Sequence, residues 1–271
     1  MEKKAVKTVV LSLVLILLFA GCAAGNVVND KDSGEIEVGE KEYMYYDGIY
    51  ETYSSYYADD GYFRVMKLKV EDGKICEIVY DMIDGYGGRF SENGSDESES
   101  FKSEIKSLNS KAMQNQNSEE IGESSSFTED YKLLLEHTLK NASENNNGAS
   151  PLDMSFTYED SFTDINDNTA HLSVEYSGGK AFSINYYITS PDGLKLEDYI
   201  NEESFFSDTM SYASLIAYLE KVSEEGDTLK KEDLSDRTVT VIYDYNTLCD
   251  VIEEKHRRVD ENSIDQLFSS L

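Results

Sequence analysis

Val70-Glu71-Asp72-Gly73-Lys74-Ile75-Cys76-Glu77-Ile78-Val79-Tyr80-Asp81 is the stretch that decides the fold. Apolar residues alternate with polar ones around its Asp72-Gly73 centre: Leu68 and Val70 before, Ile78 and Tyr80 after. Such alternation puts one face of each strand in a core and the other in water. Asp-Gly supplies the two residues that accept positive φ, which a tight hairpin turn requires. The same design returns about 106 residues later, from Gly73 to Gly179. There Val174 and Tyr176 precede Gly178-Gly179-Lys180, and Phe182, Ile184 and Tyr186 follow. A glycine turn comes after each hairpin: Asp84-Gly85-Tyr86-Gly87-Gly88 in one, Pro191-Asp192-Gly193 in the other.

Helices are predicted next in both halves. Phe101, Ile105, Leu108, Ala112 and Met113 recur at helical spacing, as do Met210, Ala213, Ile216, Ala217, Leu219 and Val222, with Gly226 as a C-terminal cap. A second apolar stripe closes each half. In the first it is Tyr131, Leu134, Leu135, Thr138, Leu139 and Ala142, with Ser126 and Glu129 as a capping box. In the second it is Leu248, Val251 and Ile252, extended by Ile264, Leu267 and Phe268. The expected fold is α+β: two tandem units, 45–142 and 155–271, each an antiparallel hairpin sheet packed with helices. Residues 143–154 are expected to link them, since Ser143-Glu-Asn-Asn-Asn-Gly-Ala-Ser-Pro151 has turn formers and no apolar period.

The N-terminus reads as an address. Lys3, Lys4 and Lys7 precede the apolar run Val9–Ala20, and Phe19-Ala20-Gly21-Cys22 closes it. The run is shorter than the ~20 residues of a membrane span. It resembles a bacterial lipoprotein signal peptide, residues 1–21, with its lipobox. That resemblance implies cleavage before Cys22, acylation of its thiol (palmitate among the chains) and an extracytoplasmic, membrane-anchored protein. Residues 22–44 are polar and read as a flexible tether. The released segment Val14–Gly21 is a further, weaker candidate as a peptide pheromone.

The chain of 271 residues carries a formal net charge of −30. Nucleic acid is excluded as a partner, because its binding needs Lys and Arg to displace counterions. The same charge repels anionic headgroups, so a lipid must do the anchoring. His137, His171 and His256 are scattered and no CxxC occurs, which argues against zinc. Cys76 and Cys249 either pair in an oxidising compartment or lie as two buried thiols, the plainer reading. Asp164, Asn166, Asn168 and Glu175 match positions of a calcium loop, but Thr169 stands where the sharp turn needs glycine. An acidic turn before a hairpin is the simpler expectation. No nucleophile elbow, P-loop or dinucleotide fingerprint is found.

Asp47-Gly48-Ile49-Tyr50, Gly61-Tyr62, the Val70–Asp81 hairpin, Gly88 and Ser91-Glu92 before a helix together resemble the FMN-binding domain of bacterial membrane-anchored lipoproteins. This group includes major membrane immunogens and pheromone-precursor lipoproteins, and is more distantly similar to flavin-carrying subunits of ion-pumping redox complexes. The resemblance covers 45–142, with a fainter echo over 155–258. It implies FMN carried outside the cytoplasm, its phosphate esterified to the threonine of a Ser-Gly-Ala-Thr stretch before the last helix. A helix N-terminus suits a phosphate, because its free amides and dipole favour an anion. Here that stretch reads Glu123-Ser124-Ser125-Ser126, so Ser126, with Thr128 close by, marks the phosphate position. In the second half Tyr243 stands there, beside Asp244. Neither half keeps the motif. The expectation is therefore a degenerate FMN-binding-like lipoprotein that binds a protein partner at the cell surface and has no catalytic role. No cofactor is expected. The alternative is an FMN flavoprotein passing electrons at the membrane.

Overall fold

The first hairpin grows into a sheet. In the computed structural model, which describes residues 44–119, 121–122, 125–195, 212–225, 229 and 240–271, β1 (Gly48–Ser54), β2 (Tyr62–Glu71) and β3 (Lys74–Asp84) form an antiparallel meander. Segment 1–21, Cys22, the tether up to residue 43, Glu123, Ser124, Met210 and Gly226 lie outside the described residues. Two helices, α1 (Asp96–Asn115) and α2 (Ser126–Glu144), cover one face. Phe101, Ile105 and Leu108 of α1 and Tyr131, Leu134 and Leu135 of α2 pack on Tyr50, Met66, Leu68, Tyr80 and Met82. The helical period of 3.6 and the strand period of 2 meet in that layer.

The stretch expected as a linker contributes a strand. β4 (Gly148–Leu152) pairs parallel to β1 and completes the order β3-β2-β1-β4. It is short, polar and at the edge, so it carries no apolar alternation to read. Pro151 is tolerated because an edge strand can spare one N–H.

The second half has a comparable order of elements. β5 (Phe156–Thr163), β6 (Thr169–Ser177) and β7 (Lys180–Thr189) form a three-stranded antiparallel sheet. Helices α3 (Tyr212–Glu225) and α4 (Thr240–Lys255) follow. Tyr158, Leu172, Val174, Tyr186, Leu219, Tyr245 and Leu248 form its core. The architecture is α+β, with two sheets and five described helices.

The correspondence extends to irregularities. The β2–β3 register slips between Lys69 and Val70, and the β6–β7 register slips between Glu175 and Tyr176, two residue pairs before each turn. Asp72 and Gly73 take positive φ, as do Gly178 and Gly179. Isolated bridges Ile83–Arg89 and Thr189–Lys195 close the two glycine turns, where Gly87 and Gly193 have φ of 84° and 78°. Tyr50 opposite Leu68 and Tyr158 opposite Val174 are all fully buried.

One helix joins the halves. α5 (Glu261–Ser270) does not extend the second core. Its Ile264 and Phe268, with Val259, pack on the back of the first sheet against Tyr53, Phe63, Val65 and Ile83. Ser161, His171 and Thr189 stand at the matching places of the second sheet, too polar for such a cover. Described residues belong to one compact unit, Tyr43–Leu271. None of their helices is long and apolar enough to cross a membrane.

Rings seal the junction. His256 lies between Tyr56 (centroids 4.4 Å apart) and Tyr176 (3.7 Å), with Tyr158 edge-on at 5.3 Å. Burial pushes its imidazole down to about 4, so the ring is neutral at neutral pH. At Gly179, φ is +74° and an added Cβ would run into the Tyr56 hydroxyl. Gly179→Ala should therefore destabilise by ~2 kcal/mol in urea denaturation. Gly178→Asn, where nothing lies within 4 Å and the first half has Asp72, should cost under ~1 kcal/mol.

Cys76 and Cys249 are both free, and only one is buried. Cys249 sits on α4 within the second core. Cys76 is exposed beside the register slip of β3, with its Sγ 3.4 Å from the Lys69 carbonyl oxygen. The slip turns it away from the face that alternation would assign.

Candidate functional site

The start of α2 is where the sequence places a phosphate. Ser125 has extended backbone, and its Oγ accepts from the Thr128 N–H at 3.3 Å. Ser125 is thus the cap, and Ser126 is the first helical residue; the cap lies one residue earlier than the capping-box reading. Thr128 is buried, and its Oγ1 donates to Glu104 Oε1 at 2.7 Å. Ser125 Oγ donates to the same carboxylate oxygen. Glu104, projecting from α1, therefore brings a negative charge to the positive end of α2, a favourable place for it. Esterifying Thr128 would break its hydrogen bond and set a phosphate against that carboxylate. The residues around Thr128 do not fit a flavin phosphate.

An ionic cluster centred on a buried arginine lies behind the cap. Arg64 on β2 is only 6% exposed. Its Nε donates to Asp130 Oδ2 at 2.7 Å, and its fork donates to Asp60 at 3.0 and 2.9 Å. Burial alone would push the guanidinium pKa down, but the hydrogen bond and charge of Asp60, then the charge of Asp130, hold it up. Burial raises the Asp130 carboxyl, and Arg64 pulls it back. Tyr80 and Tyr131 meet edge-on at 5.3 Å, and the Tyr131 hydroxyl donates to Asn109 Oδ1 at 2.9 Å. A groove of about 410 Å³ opens beside Tyr80, Phe101, Ile105 and Met113 between α1 and β3, with Lys102 and Lys106 on its lining.

Sequence reasoning missed Arg64, Asp60 and Asp130. One signal was available. Arg64 shares the alternation of Met66 and Leu68, so it falls on the buried face, and a buried charge needs a partner. Which carboxylates answer it is a matter of tertiary contact.

In the second half Tyr186 and Tyr245 repeat the edge-on pair at 5.0 Å, and Ser223 Oγ lies 2.9 Å from Tyr245 Oη in the role of Asn109. Asp244 stands just before Tyr245, as Asp130 stands before Tyr131. The residue matching Arg64 is Ala170, which lies across from Phe162 of β5 and is buried. Among the described residues, two buried side-chain oxygens lack a hydrogen-bond partner, Tyr80 Oη and Asp244 Oδ1. Burial, then the charge of Asp164, pushes the Asp244 carboxyl up to about 6. Protonation is thus favoured in the fold. Its stabilising effect is full below the ordinary carboxylate value of ~4 and fades as pH rises through about 6. Asp244→Asn should raise stability at pH 7.5 by roughly 1–3 kcal/mol and change little at pH 4. Chemical denaturation at both pH values is the check.

Two sequence expectations shift. α4 is helical from Thr240, so Thr240, not Tyr243, matches Ser126; Tyr243 is exposed on the second turn. The calcium-like loop is the β5–β6 turn. Asp164 Oδ1 accepts from the N–H groups of Asn166 (2.7 Å) and Asn168 (2.9 Å), and Glu175 lies along β6. Those bonds hold the Asp164 carboxyl below its usual range despite its partial desolvation.

No protein-family model and no curated protein matches the chain. Among solved structures, the crystal structure of the CPE2226 protein from Clostridium perfringens is similar at 25% identity, covering 41% of this chain and 99% of that one, with a TM-score of 0.36.

Proposed function

We propose that the chain is a lipid-anchored extracytoplasmic lipoprotein with two tandem FMN-binding-like domains that no longer hold FMN covalently. It serves binding, not catalysis, with a protein partner at the cell surface. The observation that carries this reading is Glu104. Its carboxylate takes the hydroxyls of Ser125 and Thr128 at the helix start where the resemblance puts a phosphate. An internal anion there makes an external one redundant and repelled. The tandem reading is supported by matched turns, register slips and tyrosine pairs in the two halves. The binding role is supported by the open groove along α1.

The experiment is direct. Protein produced alongside a flavin transferase and FMN should be colourless and of unmodified mass. A yellow protein one FMN heavier would overturn this reading in favour of an electron-carrying flavoprotein. The anchor has its own test. Cells fed a clickable palmitate analogue should label the wild type and not Cys22→Ala, and the variant should leave the membrane fraction.

A further inference from the structure

The second half keeps an aspartate whose partner it has lost. In the first half the half-buried carboxylate of Asp130 is answered by the buried Arg64 at 2.7 Å. In the second, Asp244 is 3% exposed, its Oδ1 has no partner, and Ala170 stands where the arginine would be. An uncompensated buried carboxylate costs several kcal/mol, and a cation with matching hydrogen bonds removes that cost. Asp164 adds a second negative charge close enough to act on Asp244. Large apolar side chains next to these two carboxylates are exposed. Ile165, on the turn after Asp164, is 97% exposed, and Tyr243, next to Asp244, is 55% exposed and meets Phe162 edge-on at 6.5 Å. Unpaired negative charge beneath exposed apolar and aromatic side chains suits arginine: its guanidinium pairs with carboxylates in a fork and lies against aromatic rings.

We propose that the second half docks a partner protein through one arginine side chain, whose guanidinium takes the place at Asp244 that Arg64 fills internally at Asp130. Ile165, Phe162 and Tyr243 make the apolar contact around it. Flavin plays no part in this inference, which needs only the correspondence of Asp130 with Asp244 and of Arg64 with Ala170.

The test uses fluorescently tagged acetyl-Leu-Arg-Leu-amide and its citrulline counterpart, read by anisotropy against the full soluble chain at 0.15 M salt. Moderate salt is needed because a chain of −30 attracts any cation loosely. The arginine peptide should bind at least 10-fold more tightly than the citrulline peptide. Asp244→Asn should abolish that preference. Ala170→Arg, which supplies the guanidinium from within, should also abolish it while melting at or above the wild-type temperature. Free agmatine should bind at least 10-fold more weakly than the peptide, since it lacks the apolar flanks. Equal binding of the two peptides, or an unchanged preference in Asp244→Asn, overturns the proposal. Agmatine binding as tightly as the peptide overturns the docking surface.

Discussion

Arg64→Ala is expected to cost about 3–5 kcal/mol of unfolding free energy at pH 7.5, the largest loss from any single polar residue described. The guanidinium is buried and makes three of the cluster's hydrogen bonds, one to Asp130 and two to Asp60. Removing it leaves the Asp130 carboxylate in a poorly solvated place with no compensating charge. Part of the loss should return at pH 5, because Asp130, already raised by burial, then protonates more readily in the fold than in the unfolded chain. Arg64→Met combined with Asp130→Leu should recover most of the stability, since an apolar pair of similar volume avoids desolvating charge. Urea denaturation of the wild type and the two variants at both pH values decides it. A single-variant loss under 1 kcal/mol would mean that water reaches the cluster freely.

Phe268→Ala should be comparably damaging, by about 3–5 kcal/mol. Phe268 is 1% exposed and, with Ile264, covers the back of the first sheet. Truncating it leaves a cavity above Phe63, Val65 and Ile83 and weakens the one described helix that the C-terminal half lends to the first sheet. Ser269→Ala, one residue on and exposed, should stay within ~0.5 kcal/mol. Equal losses from the two substitutions would show that α5 is held by its backbone and not by packing.

Much of this fold was legible because two periodicities are local. Leu68, Val70, Ile78 and Tyr80 alternate around Asp72-Gly73, and the structure pairs them as that alternation requires. Phe101, Ile105, Leu108 and Ala112 recur at helical spacing and are all buried on α1. What escaped has little local pattern. β4 is a polar edge strand, so nothing in Ser143–Pro151 distinguishes it from a loop. The apolar stripe of α5 announces a buried face but not which sheet buries it. For the candidate site, Thr128 and the start of α2 could be read from sequence, but Glu104 could not. It is an ordinary surface-type residue on α1, given its role by the approach of one helix to another.

The chain by itself determined its two hairpins, their turns and the helical stripes, because alternation, positive-φ pairs and helical spacing act between near neighbours. It also set a formal net charge of −30, which opposes binding to a polyanion whatever the fold. Only the tertiary structure decided that α5 crosses to the first sheet, that Arg64 is answered by Asp130 and Asp60, and that Asp244 is left unanswered. These depend on contacts between residues far apart in sequence. The cost or gain of a buried charge is set by what the fold brings beside it, not by the residue alone.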